Sequence, residues 1–126
     1  MVIALIYAMK RVLIVDDERL MLYGLSRYLS NDHTEIKTSE TGKDALKEIT
    51  SGFYDLCILD IHLPDTSGLD VMKEIRKISP ETKVVIMTAH EITDDMKQEI
   101  KNNAYQFLSK PFDISQIKAV SETALA

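Results

Sequence analysis

A chain of 126 residues fits one compact domain and can bury about two thirds of its unfolded surface, so it needs no disulfide or structural metal to fold. Apolar residues at 45% and charged residues at 28% give an ordinary soluble balance. The formal net charge of −5 argues against nucleic acid as a direct partner, because phosphate binding needs a basic face. The single cysteine, Cys57, lies in an apolar run. It cannot close an internal disulfide and has no second Cys for a metal site, so it reads as a buried, inert thiol.

The opening, Met1 to Met9, is apolar but far shorter than the ~20 residues a membrane span requires. It lacks the basic start and the cleavage site of a signal peptide. The domain is expected to run over 10–126. Residues 1–9 are expected to lie outside the fold, dispensable or packed against a neighbouring molecule.

Val12 to Val15 is an apolar run that ends at Asp16-Asp17 and reads as a buried strand. Leu22, Leu25 and Leu29 repeat at helical spacing and predict a helix over about 19–30. Thr34 to Thr38 is a weak strand. Thr41-Gly42 opens a second helix with Ala45, Leu46 and Ile49 inward, and Gly52 stops it. Leu56 to Leu59 is a strongly apolar strand ending at Asp60.

Pro64 and Gly68 bound a loop, and Leu69, Met72 and Ile75 mark a third helix closed by Pro80. Val84 to Met87 is a strand ending at Thr88. A fourth helix, about 93–102, has only Met96 and Ile100 as apolar anchors and should pack lightly. Asn102-Asn103 would end it in a left-handed cap. Phe107-Leu108 lies in a last strand ending near Lys110-Pro111. Asp113 and Gln116 have capping-box spacing before a helix carrying Ile117, Val120 and Ala124. Five strand-helix units with continuous apolar strands predict a doubly wound α/β sandwich on a parallel sheet.

Ligands of such a sheet bind beyond the carboxyl ends of its strands. Asp16, Asp17, Asp60, Thr88 and Lys110 all leave those ends. Polar residues are common where strands meet solvent, which explains any one of them. It explains poorly three acids, a hydroxyl and a lysine at one edge. Three carboxylates repel one another, and a hard divalent cation relieves this, because Mg2+ prefers oxygen ligands. A carboxylate beside such a cation can attack phosphorus. The cation, the Lys110 ammonium and the Thr88 hydroxyl can then meet the equatorial oxygens.

Val12-Leu13-Ile14-Val15-Asp16-Asp17-Glu18, Asp60-Ile61-His62-Leu63-Pro64 followed by Gly68, Met87-Thr88-Ala89 and Lys110-Pro111-Phe112 stand in order along the chain. Together they resemble the response-regulator receiver domains of two-component signalling, the CheY-like superfamily, from about Lys10 to the C-terminus. The resemblance implies a flavodoxin-like (βα)5 sandwich with strand order 2-1-3-4-5. It makes Asp60 the phosphoacceptor, with Thr88 and Lys110 completing the chemistry. Asp17 and Asp60 would bind Mg2+ (or Mn2+) directly, Asp16 through water, and the His62 backbone carbonyl would add a ligand. Thr88, Ala89 and Lys110 would bind the phosphate, and the Lys110-Pro111 peptide would be cis.

Thr88 and Phe107 would form the switch, although periodicity alone reads Phe107 as a core residue. His62 and His90 would flank the phosphoryl group and tune its lifetime, unless both rings simply point into solvent. The implied partners are a histidine kinase or phosphotransfer protein and an output domain or separate target. A phosphorylation-dependent homodimer is also implied, in the cytoplasm, without nucleic acid or membrane. Apart from phosphorylating and dephosphorylating itself, such a domain is not a turnover enzyme.

Two departures stand out. Asn103-Ala104-Tyr105-Gln106-Phe107 replaces a common Gly-Ala-Asp-Asp-Tyr, which weakens the inference of the charged dimer face of winged-helix regulators. The last helix lacks their arginine-rich pattern, and no output domain is expected within these residues. Among rivals, a flavin electron carrier would need a hydroxyl-rich loop where this chain has Asp-Asp-Glu. An aspartyl phosphohydrolase would need Asp-x-Asp, and Asp60 is followed by Ile61-His62. A receiver-like binding module that is never phosphorylated would not need the full acid, Thr and Lys set.

Overall fold

The computed structural model describes residues 9–126, so the expectation for the opening segment lies outside the described residues. Five strands, β1 (Lys10–Val15), β2 (Thr34–Ser39), β3 (Leu56–Asp60), β4 (Lys83–Thr88) and β5 (Gln106–Ser109), alternate with five helices. The helices are α1 (Arg19–Leu29), α2 (Gly42–Ser51), α3 (Gly68–Ile78), α4 (Asp94–Asn103) and α5 (Ile114–Leu125). All strand pairs are parallel, in the order β2-β1-β3-β4-β5. This is the doubly wound α/β sandwich that the apolar runs imply.

Successive strand residues point to opposite faces, and each face has its own core. Val12, Ile14, Leu56, Ile58, Val85 and Met87 pack with Leu22 and Leu25 of α1 and Ile117 of α5. Leu13, Val15, Cys57, Leu59, Val84 and Ile86 pack with α2, α3 and Ile100 of α4. Two covered faces explain why β1, β3 and β4 read as unbroken apolar runs. Burial pushes the Cys57 thiol up to about 12, in keeping with an inert group.

Local signals set the helix starts. The Oγ1 of Thr41 accepts from the Asp44 N–H (3.1 Å), Ser67 Oγ from Leu69 N–H (3.1 Å) and Thr93 Oγ1 from Met96 N–H (3.1 Å). The Asp113 N–H donates to Gln116 Oε1 (2.8 Å), the expected reach-back at α5. Gly52 caps the end of α2, as expected, while α4 ends differently. No described residue has a positive φ, so α4 closes through Ala104 in an extended conformation, not through a left-handed Asn. Gly52 is also extended, and its lack of a side chain makes room for Arg11, whose Nη1 would lie 2.9 Å from an added Cβ. As expected, α4 packs lightly: Ile100 is its one buried residue.

Candidate functional site

The carboxyl ends of β1, β3, β4 and β5 meet at one edge of the sheet. β1 and β3 are neighbours, which brings Asp16 and Asp60 together from 44 residues apart in number. Each of Asp16, Asp17 and Asp60 offers an oxygen within 4.8 Å of the others'. Asp16 and Asp60 are buried while Asp17 is exposed, so the cluster opens to solvent on the Asp17 side. Oxygen donors at this spacing suit a hard divalent ion.

Lys110 reaches into the cluster from the end of β5. Its Nζ donates to Asp16 Oδ2 (2.7 Å), Asp60 Oδ2 (2.9 Å) and Glu18 Oε1 (3.2 Å). Its side chain is only 7% exposed, so the first two contacts work in a poorly solvated site. Burial pulls the ammonium down, but the hydrogen bonds and charges of Asp16 and Asp60 outweigh it and hold Lys110 above the ordinary lysine range. Burial raises the Asp16 carboxyl above its usual value, against the pull of Lys110 and the Glu18 N–H. The Lys110-Pro111 bond is cis, as expected.

Thr88 ends β4, buried, and its carbonyl accepts from the Lys110 N–H (2.7 Å). Ala89 and His90 follow it and are exposed. An open cleft of ≈ 510 Å³ is lined by Thr88, Ala89, His90, Phe107 and Lys110. Phe107 is half-buried, packed against the α2–α4 core while lining this cleft. It is therefore neither a plain core residue nor a surface one. The rings of His62 and His90 are exposed, and they touch each other.

The loop after Asp60 is held by features that the motifs leave unexplained. The Ile61 N–H donates to the Met87 carbonyl (3.1 Å), the Gly68 N–H to the Ile61 carbonyl (2.6 Å), and His62 bridges to Ser67. The loop is closed so tightly that a Cβ on Gly68 would overlap the Asp60 carbonyl oxygen and lie 2.8 Å from Ile61 Cα. The obstacle is backbone and cannot swing aside. Gly68→Ala is expected to cost about 2–3 kcal/mol, an overpacking effect, measured by urea unfolding. A change under about 0.5 kcal/mol, the level of a neutral surface substitution, would mean that the loop yields freely.

Asp65, in the same loop, was not legible as a site residue. Its Oδ1 accepts from the Gly42 N–H (2.8 Å) and its Oδ2 from the Lys43 N–H (2.9 Å), tying the loop to the first turn of α2. The Gly42 and Lys43 N–H groups hold the carboxyl below the usual aspartate range. A lowered folded value stabilises above the unfolded value of 3.8, and the contribution is lost as pH falls through the folded one. Asp65→Ala should therefore lower the thermal midpoint at pH 7, with the gap to the parent closing in acid. A gap that does not narrow at all as pH falls below the unfolded value of 3.8 would point to packing instead of charge. Glu18 was also missed as a partner of Lys110; its place directly after Asp17 was the available signal.

Known proteins resemble this chain in sequence and fold. Residues 12–122 match the family model of the response regulator receiver domain. The response regulator protein PilR of Pseudomonas aeruginosa is 34% identical over 116 residues, which cover 92% of this chain but only 26% of that protein. This chain thus spans about a quarter of the length of that relative. The response regulator protein TrrA from Thermotoga maritima, solved in complex with Mg(2+)-BeF, aligns with a TM-score of 0.82 at 37% identity over 92% of this chain and 99% of that one. The beryllofluoride-activated NtrC4 receiver domain dimer aligns with a TM-score of 0.85 at 34% identity over 93% of this chain and 97% of that one. With the family model spanning nearly the whole described fold and the acid edge at its centre, the chain belongs to the receiver domains of two-component response regulators.

Proposed function

We propose that this domain accepts a phosphoryl group onto Asp60 in the presence of a divalent cation and passes the event on through the end of β4 and β5. The observation that carries this reading is the buried cluster in which Lys110 Nζ bridges Asp16 and Asp60. In the reaction an Asp60 carboxylate oxygen attacks phosphorus in line. A P–O bond to Asp60 forms, the bond from phosphorus to the donor breaks, and the leaving group keeps that bond's electron pair, as a carboxylate from an acyl phosphate or as a neutral imidazole from a phosphohistidine protonated on its other nitrogen.

Asp17, Asp60 and the His62 carbonyl would hold Mg2+ (or Mn2+), with Asp16 acting through water. Bound there, the ion would neutralise the acids and the charge growing on the phosphoryl oxygens. Lys110 then trades its bond to Asp60 for one to the phosphoryl group, and the Thr88 hydroxyl and Ala89 N–H donate to the other oxygens. The TrrA structure was solved with Mg(2+)-BeF, which supports the cation.

The donor is a phosphohistidine on a kinase or phosphotransfer protein, or a small acyl phosphate. The work is signalling in the cytoplasm, and the domain is not a turnover enzyme. The receiver, alone or as a homodimer, controls an output domain or a separate target. No helix among the described residues is long and apolar enough to cross a membrane. His62 and His90 set how fast water removes the phosphoryl group, by shielding it or by guiding the water.

The test is incubation with a small phosphodonor. One phosphoryl mass should appear with Mg2+ and not with chelator, labile to hydroxylamine and mapping to the peptide that contains Asp60. A label on another residue would overturn the assignment.

Transmission requires a bistable element that the new charge biases. α4 is that element, since one buried residue holds it and rearrangement is cheap. Phosphorylation is expected to move amide resonances mainly within residues 88–112, which include Phe107. Shifts confined to residues 58–68 would instead describe a passive phosphate store.

A further inference from the structure

The loops that leave β3 and β4 begin with the same turn. The His62 N–H donates to Asp60 Oδ1 (3.1 Å), and the His90 N–H donates to Thr88 Oγ1 (3.1 Å). β3 and β4 are hydrogen-bonded neighbours, with Asp60 opposite Met87. Two equal turns at adjacent strand ends bring the side chains two residues further on together. The imidazole rings of His62 and His90 meet edge to face, with centroids 4.2 Å apart and planes at 72°. Both residues are exposed, and the hydrogen bonds that fix the two turns run through backbone N–H groups, not through the rings.

We propose that His62 and His90 form a second metal site, for a borderline divalent ion such as Zn2+ or Ni2+, at the rim of the acid cluster. Imidazole nitrogen suits Zn2+, Ni2+ and Cu2+, whereas carboxylate and water suit Mg2+ and Mn2+. The two sites therefore sort ions by hardness. Exposed rings in contact need only rotate about their side-chain torsions for one nitrogen of each to stand about 2.0–2.1 Å from a shared ion. Water completes the coordination. The nearby acids, Asp17 above all, raise the local concentration of any cation at this edge. The proposal does not depend on phosphorylation of Asp60.

The experiment titrates the full chain with Zn2+, and separately with Ni2+, in excess Mg2+ so that the acid cluster is already satisfied. Imidazole 1H–15N spectra and calorimetry are the readouts. One ion per chain should bind. Zn2+ should shift, and Ni2+ should broaden, the ring signals of His62 and His90 while those of His33, the third histidine, stay put. His62→Gln and His90→Gln should each weaken binding about tenfold or more, because a chelating pair becomes a lone donor. The double variant should bind more weakly than either single one, to the level of the chain's background, since no imidazole donor remains. Thermal midpoints of the ion-free variants should match the parent, both residues being exposed. Unchanged affinity in either single variant, equal responses from all three histidines, or binding that excess Mg2+ abolishes would each overturn the assignment.

Discussion

Asp60→Asn is expected to reduce phosphoryl uptake from a small donor by on the order of a thousandfold or more, to the limit of detection, because the proposed nucleophile is gone. The fold should survive. Asn keeps the shape of the side chain, its carbonyl oxygen can still accept from the His62 N–H, and Lys110 keeps its bonds to Asp16 and Glu18. One of three mutually repelling charges is removed, so stability should hold or rise. Divalent affinity should fall by about tenfold, since affinity for a hard ion follows the charge of its ligands. Mass spectrometry after phosphodonor treatment, Mg2+ titration and urea unfolding measure the three effects separately. Uptake at the parent rate would remove Asp60 from the phosphoacceptor role. Lost uptake together with a lost fold would show the charge change acting through stability instead.

Lys110→Ala carries the second large effect, and its sign depends on the cation. Without divalent ions the variant leaves two buried carboxylates, Asp16 and Asp60, with no ammonium between them. Breaking a fully buried pair costs about 3–5 kcal/mol; solvent entering past exposed Asp17 reduces this to about 2 kcal/mol. Lys110 has a folded value raised above its unfolded 10.5, so its contribution is whole below that pH and is lost as pH rises through the folded value. The deficit should therefore be full at pH 7 and shrink in strong alkali.

In Mg2+ the picture changes. The ammonium no longer competes for Asp60, so the variant should bind the ion more tightly than the parent and recover part of the deficit by linkage. Phosphoryl uptake should still be slower by about a hundredfold, the usual effect of losing one preorganised donor at a charged transition state. Equal stability of the two chains in chelator, with equal Mg2+ affinity, would show that the ion pair at this edge contributes nothing.

Much of this protein was written in local pattern. β1, β3 and β4 were legible because a strand buried on both faces must be apolar throughout. Helix starts were legible at Thr41 and Asp113, because a capping side chain acts within three residues of its target. The acids, Thr88 and Lys110 were legible as a group, because a parallel sheet exposes its ligands at one edge. The light packing of α4 followed from its having two apolar anchors in ten residues.

What only the tertiary structure decided is which groups meet across distant parts of the chain. Lys110 bonds Asp16 and Asp60, 94 and 50 residues away in sequence, and nothing in either local pattern says that one ammonium serves both. Asp65 grips the first turn of α2 because two loops happen to lie side by side above the sheet. Gly68 is glycine because the Asp60 carbonyl leaves no room for a Cβ, not for a positive φ. His62 and His90 touch because β3 and β4 were placed next to each other with matching turns at their ends. Sequence period and capping are short-range physics and can be read residue by residue. The pairing of charges, rings and backbone across strands is set by strand order, which the chain fixes only when both faces of the sheet are buried at once.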